Sequence, residues 1–226
     1  MFEGFDSEMI PFFLDLRYHN NKAFMDENRE RYLTHVRGPF CDFIDALGPK
    51  LQKEIPDLEI RPAKCLSRIN RDIRFSRDKS PYRDHLWISF RRSAAEKDGL
   101  PFFWFEISPE DVSWGMGVWG ENPAIMDALR RKIIAFPARV EALLPTRDNT
   151  DLRLSGRDWM RITVPDGVPD SLRPVYVKRS LYFERVNTRL DWIYSRRILS
   201  RVYRDYMVLL PFYRLLTGLL PDGASA

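Results

Sequence analysis

Apolar positions recur with helical spacing at both ends of this chain and crowd into short runs in its middle. Asp6 and Ser7 stand where a helix N-cap belongs, and Ile10, Phe13 and Leu14 supply the apolar face that follows. Asn20-Asn21 closes that helix and caps the next. One helical stripe then runs through Phe24, Tyr32, Val36, Phe40, Phe43, Leu47 and Leu51. Gly38-Pro39 interrupts it, which predicts a kink or two short helices in line. Asn28 sits on the stripe between Phe24 and Tyr32, where a polar amide needs partners and can reach towards the basic segment downstream.

After Pro56 the period changes. Cys65 to Ile69 and His85 to Phe90 read as strands flanking a basic stretch. Phe102 to Ile107 and Val112 to Trp119 read as a hairpin turning at Ser108-Pro109-Glu110-Asp111. Asn122-Pro123 opens a helix with Ile125, Leu129 and Ile133 on one side, and Pro137 permits a second short one to Leu144. Residues 145–175 read as loops and short strands, and Tyr176 to Val186 as one further strand. The last long helix starts near Ser195, with Ile198, Val202, Tyr206 and Leu209 inward, and Pro211 is expected to bend or stop it. Helices, then strands, then helices make an α+β fold: N-terminal helices, a central mostly antiparallel sheet and a C-terminal long helix. The expected organisation is a single domain over residues 1–220 and a flexible tail, 221–226.

Composition narrows the class. Cys41 and Cys65 are far apart with no CxxC spacing, so neither a disulfide framework nor a zinc ribbon is indicated. The acidic N-terminus lacks a signal peptide's basic start and apolar run, and the stretch Met207 to Tyr213 is too short to cross a bilayer. A cytoplasmic protein with no membrane partner is the expectation. Net charge is only +4, but it is unevenly spread. Residues 1–60 hold seven basic against twelve acidic side chains, and residues 173–204 hold nine against two. Residues 68–83 hold six against two, and such an excess favours an anionic partner.

That last stretch, RINRDIRFSRDKSPYR, is the main candidate for chemistry. Arg68, Arg71, Arg74 and Arg77 recur every third residue. On an α-helix each step of three rotates by about 60°, and on a strand alternate members face opposite sides, so neither form collects all four. A strand end leading into an irregular loop fits better. Two readings follow. In one, Arg68, Arg71, Arg74 and Lys79 hold a phosphate or carboxylate, guanidinium offering planar paired donors, with Lys178 completing the pocket. Asn28, Asp72, Asp78, Tyr82 and Trp119 would orient these groups or wall the pocket. In the other, the arginines pair with Asp72, Asp78 and carbonyls, and the network only fixes the loop.

The chain resembles the family known as domain of unknown function 2461 over nearly its whole length. The resemblance is carried by Phe2-x-Gly-Phe5 and by Asn20-Asn21-x-x-Phe24 with Asn28 and Tyr32. It is carried further by the motif from Arg68 to Tyr82 and by Gly115-x-Gly-x-Trp119 before a helix. Phe24 and Asn70 stand where the family often has Trp and Tyr. The resemblance supports the α+β class and the weight placed on the basic loop, and implies no reaction.

Other motifs lead elsewhere. Gly115 to Gly120 satisfies GxGxxG, but no helix opens at the third glycine and no acidic strand end follows, so NAD binding is rejected and no cofactor is expected. A strand whose glycines admit a neighbouring backbone is the simpler reading. His19, His35 and His85 lack metal-ligand spacing, so no metal site is expected, and only His85, beside the basic loop, is retained as an acid or base. Asp72 is the other candidate for chemistry. Three functions remain open: a pocket for a small anionic ligand, a nucleic-acid-binding surface, and a non-catalytic scaffold for which Arg71 is structurally essential.

Overall fold

The computed structural model of the chain describes residues 2–92, 99–145 and 151–219, so the expected tail at 221–226 lies outside the described residues. Its helices are α1 (Met9–Tyr18), α2 (Lys22–Glu27), α3 (Arg29–Arg31), α4 (Gly38–Glu54) and α5 (Pro62–Cys65), then α6 (Pro123–Ala135), α7 (Pro137–Glu141), α8 (Arg173–Tyr176) and α9 (Arg197–Thr217). A π turn, Tyr32–Arg37, joins α3 to α4. The strands are β1 (Leu86–Phe90), β2 (Phe102–Ile107), β3 (Val112–Val118), β4 (Arg153–Ser155) and β5 (Leu181–Asn187). They form one antiparallel sheet in the order β1-β2-β3-β5-β4, with Leu154 opposite Phe183 in the last pair. The α+β class and the order of helices, sheet and long final helix are those read from the sequence.

Several local expectations change. Helix α1 buries Met9, Phe12, Phe13 and Leu16, an i, i+3, i+4, i+7 set, while Leu14 is exposed. Its first eight residues are nearly all apolar, which leaves the phase to packing. Cys65 to Ile69 forms no continuous strand: Pro62 starts a helical turn, and only isolated bridges follow, Leu66 to Ile88 and Asn70 to Tyr82. The interruption before Pro39 is the π turn. Gly38 donates to the Leu33 carbonyl, five residues back, and the widened turn accommodates a proline ring that would strike the carbonyl four residues back in an α-helix. Pro211 does not stop α9, which continues to Thr217.

The described chain divides into two compact units. The first comprises Met1–Phe90, Trp104–Trp114 and Val186–Tyr203. Its core is aromatic: the Phe5 ring stacks on Phe105 at 5.5 Å, and Phe43 lies 4.6 Å from Phe105. Gly4 is required at its position, with φ +139° and a would-be Cβ 2.7 Å from the Tyr194 backbone. The second unit comprises Arg91–Phe103, Gly115–Arg185 and Arg204–Ala226. There Phe103 packs on Tyr206 and Tyr213, and a buried ion pair joins Arg185 of β5 to Asp205 of α9 at 2.7 Å.

Candidate functional site

The basic stretch folds as two short legs and an irregular tip. Arg71 donates its N–H to the Pro81 carbonyl and Arg83 to that of Ile69, both at 2.8 Å, which holds the legs together. Asn20 clamps them from outside: its amide donates to the Tyr82 carbonyl and accepts the Tyr82 N–H, each at 3.0 Å. One side chain thus imitates a neighbouring strand and fixes the Tyr82 backbone. The tip is organised by its own acids. Asp72 accepts from the Arg74 guanidinium at 2.7 and 3.0 Å, and Asp78 accepts from Ser80 and pairs with Arg71.

Tyr82 borders two hollows of the first unit. The first, of about 380 Å³, lies between the helical run from Met25 to Arg37 and residues 62–70. Arg29, Arg37 and Arg68 line it together with Tyr32 and Asp26. The π turn explains part of this set. On an α-helix residues five apart stand about 140° from each other, whereas i→i+5 hydrogen bonding brings Tyr32 and Arg37 towards one face. Among the described residues, Arg29, Arg37 and Arg68 make no ion pair. Burial pushes the Tyr32 phenol up to about 12, although Arg37 and Arg29 pull it down, so it remains an O–H donor at neutral pH.

The second hollow, of about 460 Å³, is lined by Arg71 and Asp78 of the loop and by Arg17, Arg83, His85 and Trp87. Its cations are mostly engaged. Arg17 forks onto Glu110 at 2.6 and 3.0 Å and donates to Asp84 at 2.5 Å, and these bonds hold its own pKa above the usual range. The Arg83 guanidinium lies over the Trp87 ring at 4.9 Å.

The residues expected to act together are therefore distributed. Arg68 faces the first hollow, Arg71 and Asp78 the second, and Tyr82 both. Arg74 and Asp72 pair with each other in solvent, and Lys79 donates to the Ile73 carbonyl at 3.0 Å. Asn28 donates to the Phe24 carbonyl within its own helical segment. In the second unit, Lys178 is buried against Asp158 (2.8 Å) and the Gly156 carbonyl, and Trp119 is exposed, resting on Tyr182 at 5.0 Å. The sequence reading missed Arg29 and Arg37, whose only signal was their flanking of Tyr32 on the apolar stripe. It also missed Arg17 and Asp84, and Glu106, an acid in a strand otherwise buried.

Among the described residues no group of three or more His, Cys, Asp or Glu side chains could hold a metal ion, and no helix is long and apolar enough to cross a membrane. No curated protein matches the chain. The family model described as conserved hypothetical protein (DUF2461) matches residues 8–215, and the chain belongs to that family.

Proposed function

We propose, for this DUF2461 member, that the first hollow binds a small anionic ligand, a phosphate or a carboxylate, through Arg29, Arg37 and Arg68. The observation that carries the reading is the set of three guanidinium groups around one 380 Å³ space, with no ion pair to any of them among the described residues. Asp26 lines the same space, so the hollow keeps an excess of two positive charges for an anion to neutralise. Guanidinium forks suit planar or tetrahedral oxyanions, and the protonated Tyr32 adds a hydroxyl donor. The volume suits a metabolite-sized group. Two free thiols, Cys41 and Cys65, agree with a cytoplasmic setting.

The test is thermal unfolding with inorganic phosphate, sugar phosphates and dicarboxylates at matched ionic strength. A ligand at 100 times its dissociation constant adds about 2.7 kcal/mol, roughly 5–10 °C for a chain of this size. The shift is expected to vanish in Arg37→Gln and Arg68→Gln and to persist in Arg74→Gln. A shift common to every salt and unchanged in the first two variants would remove the proposal.

A second reading, single-stranded nucleic acid on the second unit, is favoured by one feature. Trp119 and Trp159 are both exposed there, and the Arg179 guanidinium lies over Trp159 at 4.8 Å. Exposed rings beside arginines are stacking platforms. Fluorescence anisotropy with a labelled oligothymidine tests it: binding should be weakened by Trp119→Ala.

A further inference from the structure

The second hollow has what the first lacks, an imidazole in its lining, set between Asp84 of the same lining and Glu106 behind it. His85 Nδ1 lies 3.0 Å from Asp84 Oδ1, and its Nε2 lies 4.0 Å from Glu106 Oε1. The other oxygen of Asp84 accepts from Arg17 Nε at 2.5 Å, and the rest of that guanidinium is spread on Glu110. Burial alone would push Asp84 up, but the bonds from His85 and Arg17 outweigh it and hold the carboxyl below its usual range. An ionised Asp84 takes the Nδ1–H, which leaves Nε2 as the ring's hydrogen-bond acceptor. Glu106 stands on that side. Burial raises its pKa, with Asp111 acting in the same direction and His85 against it. Trp87 sets the ring's orientation, stacked 5.8 Å away, and carries Arg83 on its face. Arg83 makes no ion pair among the described residues, whereas Arg71, the other loop cation here, is turned onto Asp78.

We propose that this hollow is a second ligand site, for a phosphate monoester group, in which Arg83 takes the phosphate charge and His85 Nε2 shares the phosphate proton. The chemistry selects the class. The second ionisation of a phosphate monoester falls near pH 6, so the group can keep an O–H to donate to an imidazole nitrogen whose other side is bonded to a carboxylate. Carboxylic acids, near 4, keep no such O–H at neutral pH. The proton is held in a hydrogen bond; no covalent bond is made or broken. Asp84 and Arg17 are positioning residues, fixing the tautomer, and Glu106 is the neighbouring acid.

The experiment is ¹⁵N NMR of the full chain labelled at histidine, titrated with inorganic phosphate, sulfate, and chloride at matched ionic strength. Phosphate is expected to move the His85 Nε2 signal saturably while Nδ1 keeps the signature of a bonded N–H. Sulfate, which carries no proton near neutral pH, is expected to move it far less. Arg83→Gln should weaken the phosphate response by about tenfold, the worth of a charge-assisted hydrogen bond. Arg29→Gln, in the first hollow, should leave it intact, so this site and the one proposed above fail separately. Asp84→Asn, which keeps the size of the side chain, should shift the tautomer. Equal responses to phosphate and sulfate would overturn proton sharing. No response beyond chloride, or one abolished by Arg29→Gln rather than Arg83→Gln, would overturn the site.

Discussion

Glu59 is held as a carboxylate by the residue two positions on. Hydrogen bonds from the Arg61 guanidinium, and then from its backbone N–H, outweigh burial and lower the Glu59 pKa from 4.5 to about 2. A group whose folded pKa lies below its unfolded value contributes stability above the latter and loses it as the pH falls towards the former. Glu59 therefore contributes fully above about pH 4.5, and the contribution fades as pH drops to about 2. Acid unfolding of Glu59→Gln, followed by circular dichroism, should show lower stability at neutral pH and a flatter loss across that window. Gly117 illustrates steric rather than electrostatic constraint. A Cβ there would stand 2.3 Å from the Leu181 carbonyl and 2.4 Å from Tyr182 Cα, because β3 and β5 are neighbours at that point. Both obstacles are backbone, so Gly117→Ala should cost at least the ~1–3 kcal/mol typical of overpacking, read from the urea midpoint. The GxGxxG spacing carried this information, as a place where another backbone comes close. Arg71 is a contrasting case: 26% of its side chain and 58% of that of Asp78 are exposed. Arg71→Gln should leave the unfolding midpoint near that of the parent, which a structurally essential network would not allow.

Strand β5 and helix α9 are linked by the Arg185–Asp205 pair, whose side chains are 8% and 1% exposed. Removing Arg185 takes the nearest cation from the buried Asp205 carboxylate, with Arg204 still 3.7 Å away, so Arg185→Ala should cost about 3 kcal/mol in a denaturant titration. Replacing both with apolar residues of similar volume should recover most of that loss. The pair was not legible in the sequence, since an arginine in a strand shows no burial until its partner, 20 residues later, is known. Elements with strong periodicity or a stated cap were legible: the β2–β3 hairpin, α6 behind Asn122, and the inward face of α9. Those decided by tertiary packing were not. A proline in a helix interior costs about 3 kcal/mol, but Leu209, Leu210, Phe212, Tyr213 and Leu216 are all buried around Pro211. At about 1.5–3 kcal/mol each they outweigh it, and α9 continues. The candidate site was half legible for a related reason. The motif from Arg68 to Tyr82 marked the wall common to both hollows. Arg29 and Arg37 reach the first hollow by way of a π turn, which interrupts the 3.6-residue period on which a helical face is read.

For the molecule as a whole, net charge by segment is a poor guide to where cations remain available. The basic segment 173–204 draws on carboxylates beyond its ends: Lys178 on Asp158, Arg179 on Glu121, Arg185 on Asp205 and Arg173 on Asp170. The acidic first 60 residues, in contrast, supply Arg29 and Arg37, which have no ion pair among the described residues. Charge excess in sequence is neutralised wherever folding brings an acid into reach, and free cations are left where none is. This has a consequence for salt dependence. If all nine basic residues of 173–204 contacted a single strand, the affinity would fall by more than ~1,000-fold between about 50 and 200 mM salt, since log K falls as about 0.7 per phosphate contact. With most of them paired, Arg131, Arg139, Arg153 and Arg161 are exposed arginines of the second unit without an ion pair among the described residues. Four phosphate contacts correspond to a loss of about 50-fold over the same range. Oligothymidine anisotropy should therefore show the shallower salt dependence, with Trp119→Ala costing more than Arg173→Gln. A steep slope, with Arg173→Gln the more damaging, would mean that carboxylate pairs such as Arg173–Asp170 open to let the strand in.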